Sequence, residues 1–309
     1  MLRIVFMGTP NFSVPILEAL IEKYNVVGVV TQPDKPVGRK RILCSSPVKE
    51  VALKHNIPVF QPHKITTDYQ DIIDLNPDLI VTAAYGQFVG SKLLNTPKYG
   101  SINVHASLLP KYRGGAPIHE AIKQGEKETG VTIMYMAKEM DAGDILSQRK
   151  IPITDEDTSG TMFERLSYLG RDLLMETIPL LVDNKITPIK QDHNLATFAY
   201  NIKPEEEIID FNKTAREIFN HIRAYNPEPG AYFTLCDCKI KVFKSKVSDK
   251  THNKKVGEII EVGKHHFSIA CGEGTVLDVY EVQPAGKRIM SCLDFNNGLL
   301  KNFLSKGTL

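Results

Sequence analysis

A chain of 309 residues with 42% hydrophobic content has the material for about two packed domains with real cores rather than disorder. Its 38 Lys and Arg against 36 Asp and Glu leave a net charge of +2, so any contact with nucleic acid must rest on local clusters rather than on whole-chain charge. Five cysteines, an odd number without a C-x-x-C pair, argue against a disulfide framework or a structural zinc site.

The chain opens on Met1-Leu2-Arg3-Ile4-Val5-Phe6, which lacks the charged n-region, long apolar core and cleavage site of a signal peptide. No apolar run reaches the ~20 residues of a membrane span. A cytoplasmic protein with no membrane contact is expected. Ile4 to Met7 reads as a buried strand that ends in the turn Gly8-Thr9-Pro10. Asn11 is placed to cap a helix through Ile16, Leu17, Leu20 and Ile21. Val26 to Val30, Pro58 to Phe60, Leu79 to Ala84 and Ile102 to His105 supply four more strands. This strand–helix rhythm predicts a Rossmann-like, doubly wound parallel sheet, in which ligands sit beyond the carboxyl ends of the strands. Gly8-Thr9-Pro10 makes no G-x-G-x-x-G fingerprint, so a nicotinamide or flavin cofactor is not expected. A helix with apolar spacing through Met162, Leu166, Leu169, Leu173 and Leu174 follows Asp157-Thr158-Ser159-Gly160-Thr161 and runs to about Leu181.

Beyond it the pattern changes. The expected division is a first domain over 1–189, a linker over 190–206 and a β-rich domain over 207–309. Short runs at Ala231–Leu235, Ile240–Phe243, Val256–Ile260, Phe267–Ala270 and Val276–Tyr280, separated by Gly-containing turns, predict a small barrel. Cys236 and Cys238 read as two ordinary thiols on a strand, and a short helix near Ser291–Lys301 closes the pattern.

The segment Ser101-Ile102-Asn103-Val104-His105 carries the chemistry. In a strand, residues two apart share a face, so Asn103 and His105 stand together at a strand end. An amide donor beside an imidazole can handle a carbonyl whose oxygen becomes negative. Asp141, in Met140-Asp141-Ala142-Gly143-Asp144, could set the charge of that imidazole or relay a proton. From the short motif alone, a capping Asn, a satisfied core His and a turn Asp fit as well. The other eight histidines form no set with metal-ligand spacing, and no metal is implied.

What runs on from the motif tips the balance. Asn103-Val104-His105-Ala106-Ser107-Leu108-Leu109-Pro110, together with Met140-Asp141-Ala142-Gly143-Asp144-Ile145-Leu146, resembles the 10-formyltetrahydrofolate-dependent formyltransferase family. Thr31-Gln32-Pro33-Asp34-Lys35-Pro36, Arg223-Ala224-Tyr225-Asn226-Pro227 and Gln283-Pro284-Ala285-Gly286-Lys287-Arg288 extend the resemblance over nearly the whole chain, toward the tRNA-directed branch. The resemblance implies an OB-like barrel at the C-terminus and catalysis by Asn103, His105 and Asp141. Asn103 and His105 would stabilise the oxyanion, while Asp141 favours the imidazolium and relays the proton. It implies a folate pocket at Ser107, Leu108, Leu109 and Pro110, with Tyr85 and Gly86 as a second wall. It also implies 10-formyltetrahydrofolate as formyl donor, initiator methionyl-tRNA as partner and a monomeric state.

Two basic clusters fit that expectation. Arg39-Lys40-Arg41 follows the second strand, on the edge of the sheet where ligands bind, and the resemblance makes Arg39 the key cation there, with Lys40 and Arg41 in support. Lys287 and Arg288 form a second patch beside the lysine-rich stretch 239–255, and both could meet phosphates. A solvated charged face is the plainer reading of each. Three other functions remain at this level: formyl transfer to a small amine, a folate- or RNA-binding module without turnover, and a folate deformylase.

Overall fold

Seven strands form the larger sheet of the computed structural model, which describes residues 1–38 and 41–301. In chain order the first nine strands are β1 (Arg3–Gly8), β2 (Asn25–Val30), β3 (Lys35–Val37), β4 (Ile42–Cys44), β5 (Val59–Phe60), β6 (Leu79–Ala83), β7 (Ser101–His105), β8 (Glu128–Tyr135) and β9 (Ile145–Pro152). The sheet runs β5-β2-β1-β6-β7-β8-β9, and β3 pairs with β4 as a separate hairpin. The pairs from β5 to β7 are parallel, as the apolar runs predict; β8 and β9 add antiparallel strands at one edge. Near-continuous burial along β1 and β6 is what a sheet covered on both faces demands.

The first six α-helices are α1 (Val14–Lys23), α2 (Pro47–Lys54), α3 (Gln70–Asp74), α4 (Ser91–Leu94), α5 (Pro117–Lys123) and α6 (Ser159–Val182). Asn11 does not cap α1: it opens a 3₁₀ turn over Asn11–Ser13, and no side chain caps the helix. The Ser13 hydroxyl instead donates to the Ala83 carbonyl at 2.6 Å, which ties the start of α1 to the end of β6. In α2, Ser46 accepts from the Lys49 N–H at 3.1 Å and Pro47 occupies the first helical turn, where its missing N–H costs nothing. Along α6, Met162, Leu166, Leu173, Leu174 and Ile178 are buried at helical spacing.

Contacts divide the chain into two units. The first comprises Met1–Pro117, Glu128–Pro152 and Phe163–Tyr200; the second comprises Ile118–Lys127, Ile153–Met162 and the chain from Asn201 onward. Within the second unit, α7 (Ala215–Ala224) packs on the antiparallel sheet built from β10 (Tyr232–Leu235), β11 (Cys238–Thr251), β12 (Ile259–Val262), β13 (Phe267–Ala270), β14 (Thr275–Pro284) and β15 (Met290–Ser291), and α8 (Cys292–Phe295) follows. Thr214 and Glu217 cap α7 reciprocally. The sheet order β10-β11-β14-β13-β12, with β15 on β14, makes the expected OB-like barrel a curled, half-closed sheet. Cys236 is not on a strand. Cys236 and Asp237 form the two-residue turn between β10 and β11, both at positive φ, as a type I′ hairpin requires. No helix among the described residues is long and apolar enough to cross a membrane.

Candidate active site

The carboxyl ends of β6 and β7 build the site. Thr82 pairs with Asn103 across the two strands, and its hydroxyl lies 3.0 Å from both the Ile102 carbonyl and Asn103 Oδ1. With its oxygen bonded to Thr82, the Asn103 amide has its NH2 group left to donate. His105, at the end of β7, is 5% exposed. Its Nε2 lies 3.0 Å from the Tyr112 carbonyl, which can only accept, so Nε2 carries a proton. Its Nδ1 faces Asp141 Oδ2 at 3.7 Å. That carboxylate oxygen accepts from the Gly114 N–H at 2.8 Å. The structure thus brings Asn103, His105 and Asp141 to one place.

Three non-glycine residues here hold left-handed backbone: Ala84 (φ 47°), Tyr112 (φ 60°) and Asp141 (φ 49°). Each such residue costs about 1–3 kcal/mol, and strain of this kind gathers at functional sites when the surroundings over-determine it. Gly114 (φ 120°) belongs to the same turn; a Cβ there would lie 2.5 Å from the Ala199 carbonyl oxygen. A Cβ on Gly143 would lie 1.9 Å from the Tyr135 carbonyl oxygen, so the Asp141 loop depends on glycine to lie against β8.

The stretch from Ser107 to Pro110 leaves β7 as a braced turn. The Ser107 hydroxyl donates to the Lys111 carbonyl, Thr132 donates to the Ser107 carbonyl at 2.7 Å, and Gln148 donates to the Leu109 carbonyl at 3.0 Å. Ser107 and Leu109 are buried, whereas Leu108 and Pro110 are half-buried. Tyr85 packs its ring in the core cluster with Val5, Met7, Val89 and Leu93, and burial raises its hydroxyl pKa. Its carbonyl accepts from Thr9 and Gln32. Gly86 beside it is exposed, at φ 89°.

The basic candidates are dispersed. Arg41 is exposed in the β3–β4 turn, while Arg39 and Lys40 lie outside the described residues. Lys287 and Arg288 are exposed in the turn between β14 and β15. Of the lysines from 239 to 255, Lys239 pairs with Glu207, Lys241 donates to the Pro229 carbonyl and Lys250 pairs with Glu261. Lys244, Lys246, Lys254 and Lys255 remain exposed. Among the described residues, no group of three or more His, Cys, Asp or Glu could hold a metal ion.

Two buried residues escaped the sequence reading: Arg113, three positions beyond the quoted Ser107–Pro110 stretch, and Gln191, inside the stretch read as a linker. Arg113 is 4% exposed and Gln191 6%. A lone glutamine in a polar stretch carries no sequence signal of such burial.

Polar groups gathered past the strand ends of a parallel sheet are the arrangement of an α/β enzyme. The chain belongs to the formyl transferase family: the Formyl transferase model matches residues 2–178 and the Formyl transferase, C-terminal domain model matches residues 201–300. It is 56% identical over 309 residues to the methionyl-tRNA formyltransferase of Enterococcus faecalis, covering 99% of both chains. It is 53% identical over 306 residues to that of Pediococcus pentosaceus, covering 98% of this chain and 96% of the other. Among solved structures it resembles an N-formyltransferase from Helicobacter canadensis in complex with folinic acid and dTDP-3-aminofucose, with a TM-score of 0.67, 22% identity and coverage of 90% and 99%. At that identity the likeness is one of fold.

Proposed function

We propose that this chain transfers the formyl group of 10-formyltetrahydrofolate to the α-amino group of methionine on initiator methionyl-tRNA. The observation that carries the reading is the convergence of Asn103, His105 and Asp141 at the end of β7, in a chain more than half identical to relatives named for that activity. The neutral amine attacks the formyl carbon; the tetrahedral intermediate then breaks its bond to the folate nitrogen, and a proton passes from the new amide to that nitrogen. A free α-amine has a pKa of about 7.7–8.0, so no strong base is needed to expose its lone pair. The demand falls on the oxyanion and the proton.

Asn103 meets the oxyanion with its NH2 group. His105 meets it by exchanging the Tyr112 carbonyl for the oxyanion, since a charged acceptor makes a hydrogen bond roughly twice as strong as a neutral one. Asp141 forms an ion pair with the ring when it is doubly protonated and passes the proton on. The folate lies against Leu108, Pro110 and Gly86, while Ser107, Leu109 and Tyr85 brace that wall from behind. Arg39, Lys40 and Arg41 receive the acceptor end of the tRNA, and Lys287, Arg288 and the exposed lysines of β11 meet its phosphates. In this reading the first unit, which runs on through Tyr200 and so takes in Gln191, holds the catalytic site, and the second unit binds the tRNA, in a monomeric, cytoplasmic enzyme.

The test is to follow labelled formyl from 10-formyltetrahydrofolate with and without charged initiator tRNA. Label on the methionine, and no formate release without acceptor, supports the reading. Formate release independent of acceptor makes the protein a deformylase.

A further inference from the structure

Arg113 and Gln191 stand 78 positions apart in the chain yet share a buried contact. Arg113 Nε and Nη2 both donate to Gln191 Oε1, at 3.1 and 2.7 Å, and Nη1 donates to His193 Nδ1 at 3.3 Å. A guanidinium only donates, so the amide oxygen of Gln191 must face it and the NH2 must face away. Gln191 Nε2 then donates to the Asp141 carbonyl at 2.8 Å and the Gly143 carbonyl at 2.7 Å. Every donor and acceptor of the amide is used, and a flipped amide satisfies none of them.

The backbone of Arg113 lies between the two groups that fix the reacting side chains. Tyr112 before it gives its carbonyl to His105, and Gly114 after it gives its N–H to Asp141. Residues 197–199 bolt this turn down: Tyr112 N–H donates to Thr197 Oγ1, Arg113 N–H to the Thr197 carbonyl, and Ala199 N–H to the Arg113 carbonyl.

We propose that Arg113 and Gln191 are positioning residues for Asp141: Arg113 orients the Gln191 amide, which clamps the strained Asp141 loop so that its carboxylate faces both His105 and the Gly114 N–H. The left-handed backbone of Asp141 needs such an external hold. The proposal rests on the reading of His105 and Asp141 as reacting groups given above. It also makes the stretch after α6 part of the reacting site's support.

A double-mutant cycle on the full chain tests it, with Gln191→Leu, Asp141→Ala and the pair. If Gln191 acts through Asp141, Gln191→Leu lowers kcat about 30- to 100-fold and leaves both KM values within about threefold. In the Asp141→Ala background the same change then costs less than about twofold. Equal losses in the two backgrounds, or a parent-like kcat for Gln191→Leu, overturn the proposal. Should Gln191→Leu not fold, Gln191→Glu, which sets a carboxylate against two carbonyls, or Arg113→Lys, which keeps the charge without the fork, takes its place in the cycle. Hydrogen exchange of the Gly114 amide supplies a readout free of turnover. It speeds up in the Gln191 variant while amides within β7 keep their protection; an unchanged Gly114 amide overturns the proposal. A parent that transfers no formyl group to tRNA contradicts the functional reading instead, and the Gly114 amide then decides the positioning role alone.

Discussion

His105 donates from Nε2 to the carbonyl of Tyr112 at 3.0 Å, so the ring nitrogen left to face the Asp141 carboxylate is Nδ1. The backbone of one turn thereby sets which nitrogen can carry a charge toward the aspartate. The roles of the site residues follow from that orientation.

Asp141→Asn separates geometry from charge. The amide oxygen of Asn can still accept from the Gly114 N–H, but no anion faces His105. We expect kcat to fall at least about 100-fold, as for loss of one preorganised oxyanion donor, with the thermal melt of the parent. His105→Ala should do the same. Steady-state rates beside melting curves check both, and parent-like turnover in either folded variant contradicts the assignment.

Asn103→Ala removes the NH2 group and leaves the Thr82 hydroxyl its bond to the Ile102 carbonyl. The expected loss is about 100- to 1,000-fold in kcat, with the KM for folate little changed. A loss confined to KM would place Asn103 in binding alone.

Gly114→Ala tests the turn itself. The added methyl meets the Ala199 carbonyl oxygen at 2.5 Å, at a φ of 120° that alanine resists. Destabilisation of about 1–3 kcal/mol, with lost turnover, is expected from denaturant melts and rates. A stable, active variant would show that the turn shifts freely.

Salt dependence tests the basic surface of the second unit. Lys244→Ala and Lys246→Ala should each lower the slope of log tRNA affinity against log salt by roughly one, without altering formyl donor binding. Unchanged slopes would make these lysines a solvated face.

Stability should also depend on pH. Burial pushes His119 and His221 in the second unit down to about 4 from the ordinary 6.5, so both are neutral in the folded chain. Because their folded pKa lies below the unfolded value, their contribution is complete above pH 6.5 and is lost as pH falls toward 4. Melting curves from pH 7 to 4 should show the fall, and His221→Gln should remove part of it, on the order of 2 kcal/mol. An identical pH profile in that variant rules the histidine out.

Much of this was legible beforehand because the parallel strands are continuous apolar runs, and burial on both faces leaves that mark in Ile4–Met7 and Leu79–Ala83. β9 was not, since one of its faces meets water and Ser147, Gln148, Arg149 and Lys150 mask the strand. The Asn103–His105 pair followed from a period of two. Its link to Asp141 was suggested by resemblance, and the Gly114 N–H and Tyr112 carbonyl that hold the pair are backbone groups no side-chain pattern reports. Asn11 looked like a cap, but the chain turns through a 3₁₀ segment first, and the serine two positions on bonds to a strand.

The most direct measurement is transfer of labelled formyl from 10-formyltetrahydrofolate to charged initiator tRNA, charged elongator tRNA and free methionine, by the parent and by His105→Ala. The account predicts label on the initiator, little on the other acceptors, and loss of transfer in the variant. Equal label on free methionine, or unimpaired transfer by folded His105→Ala, would contradict it.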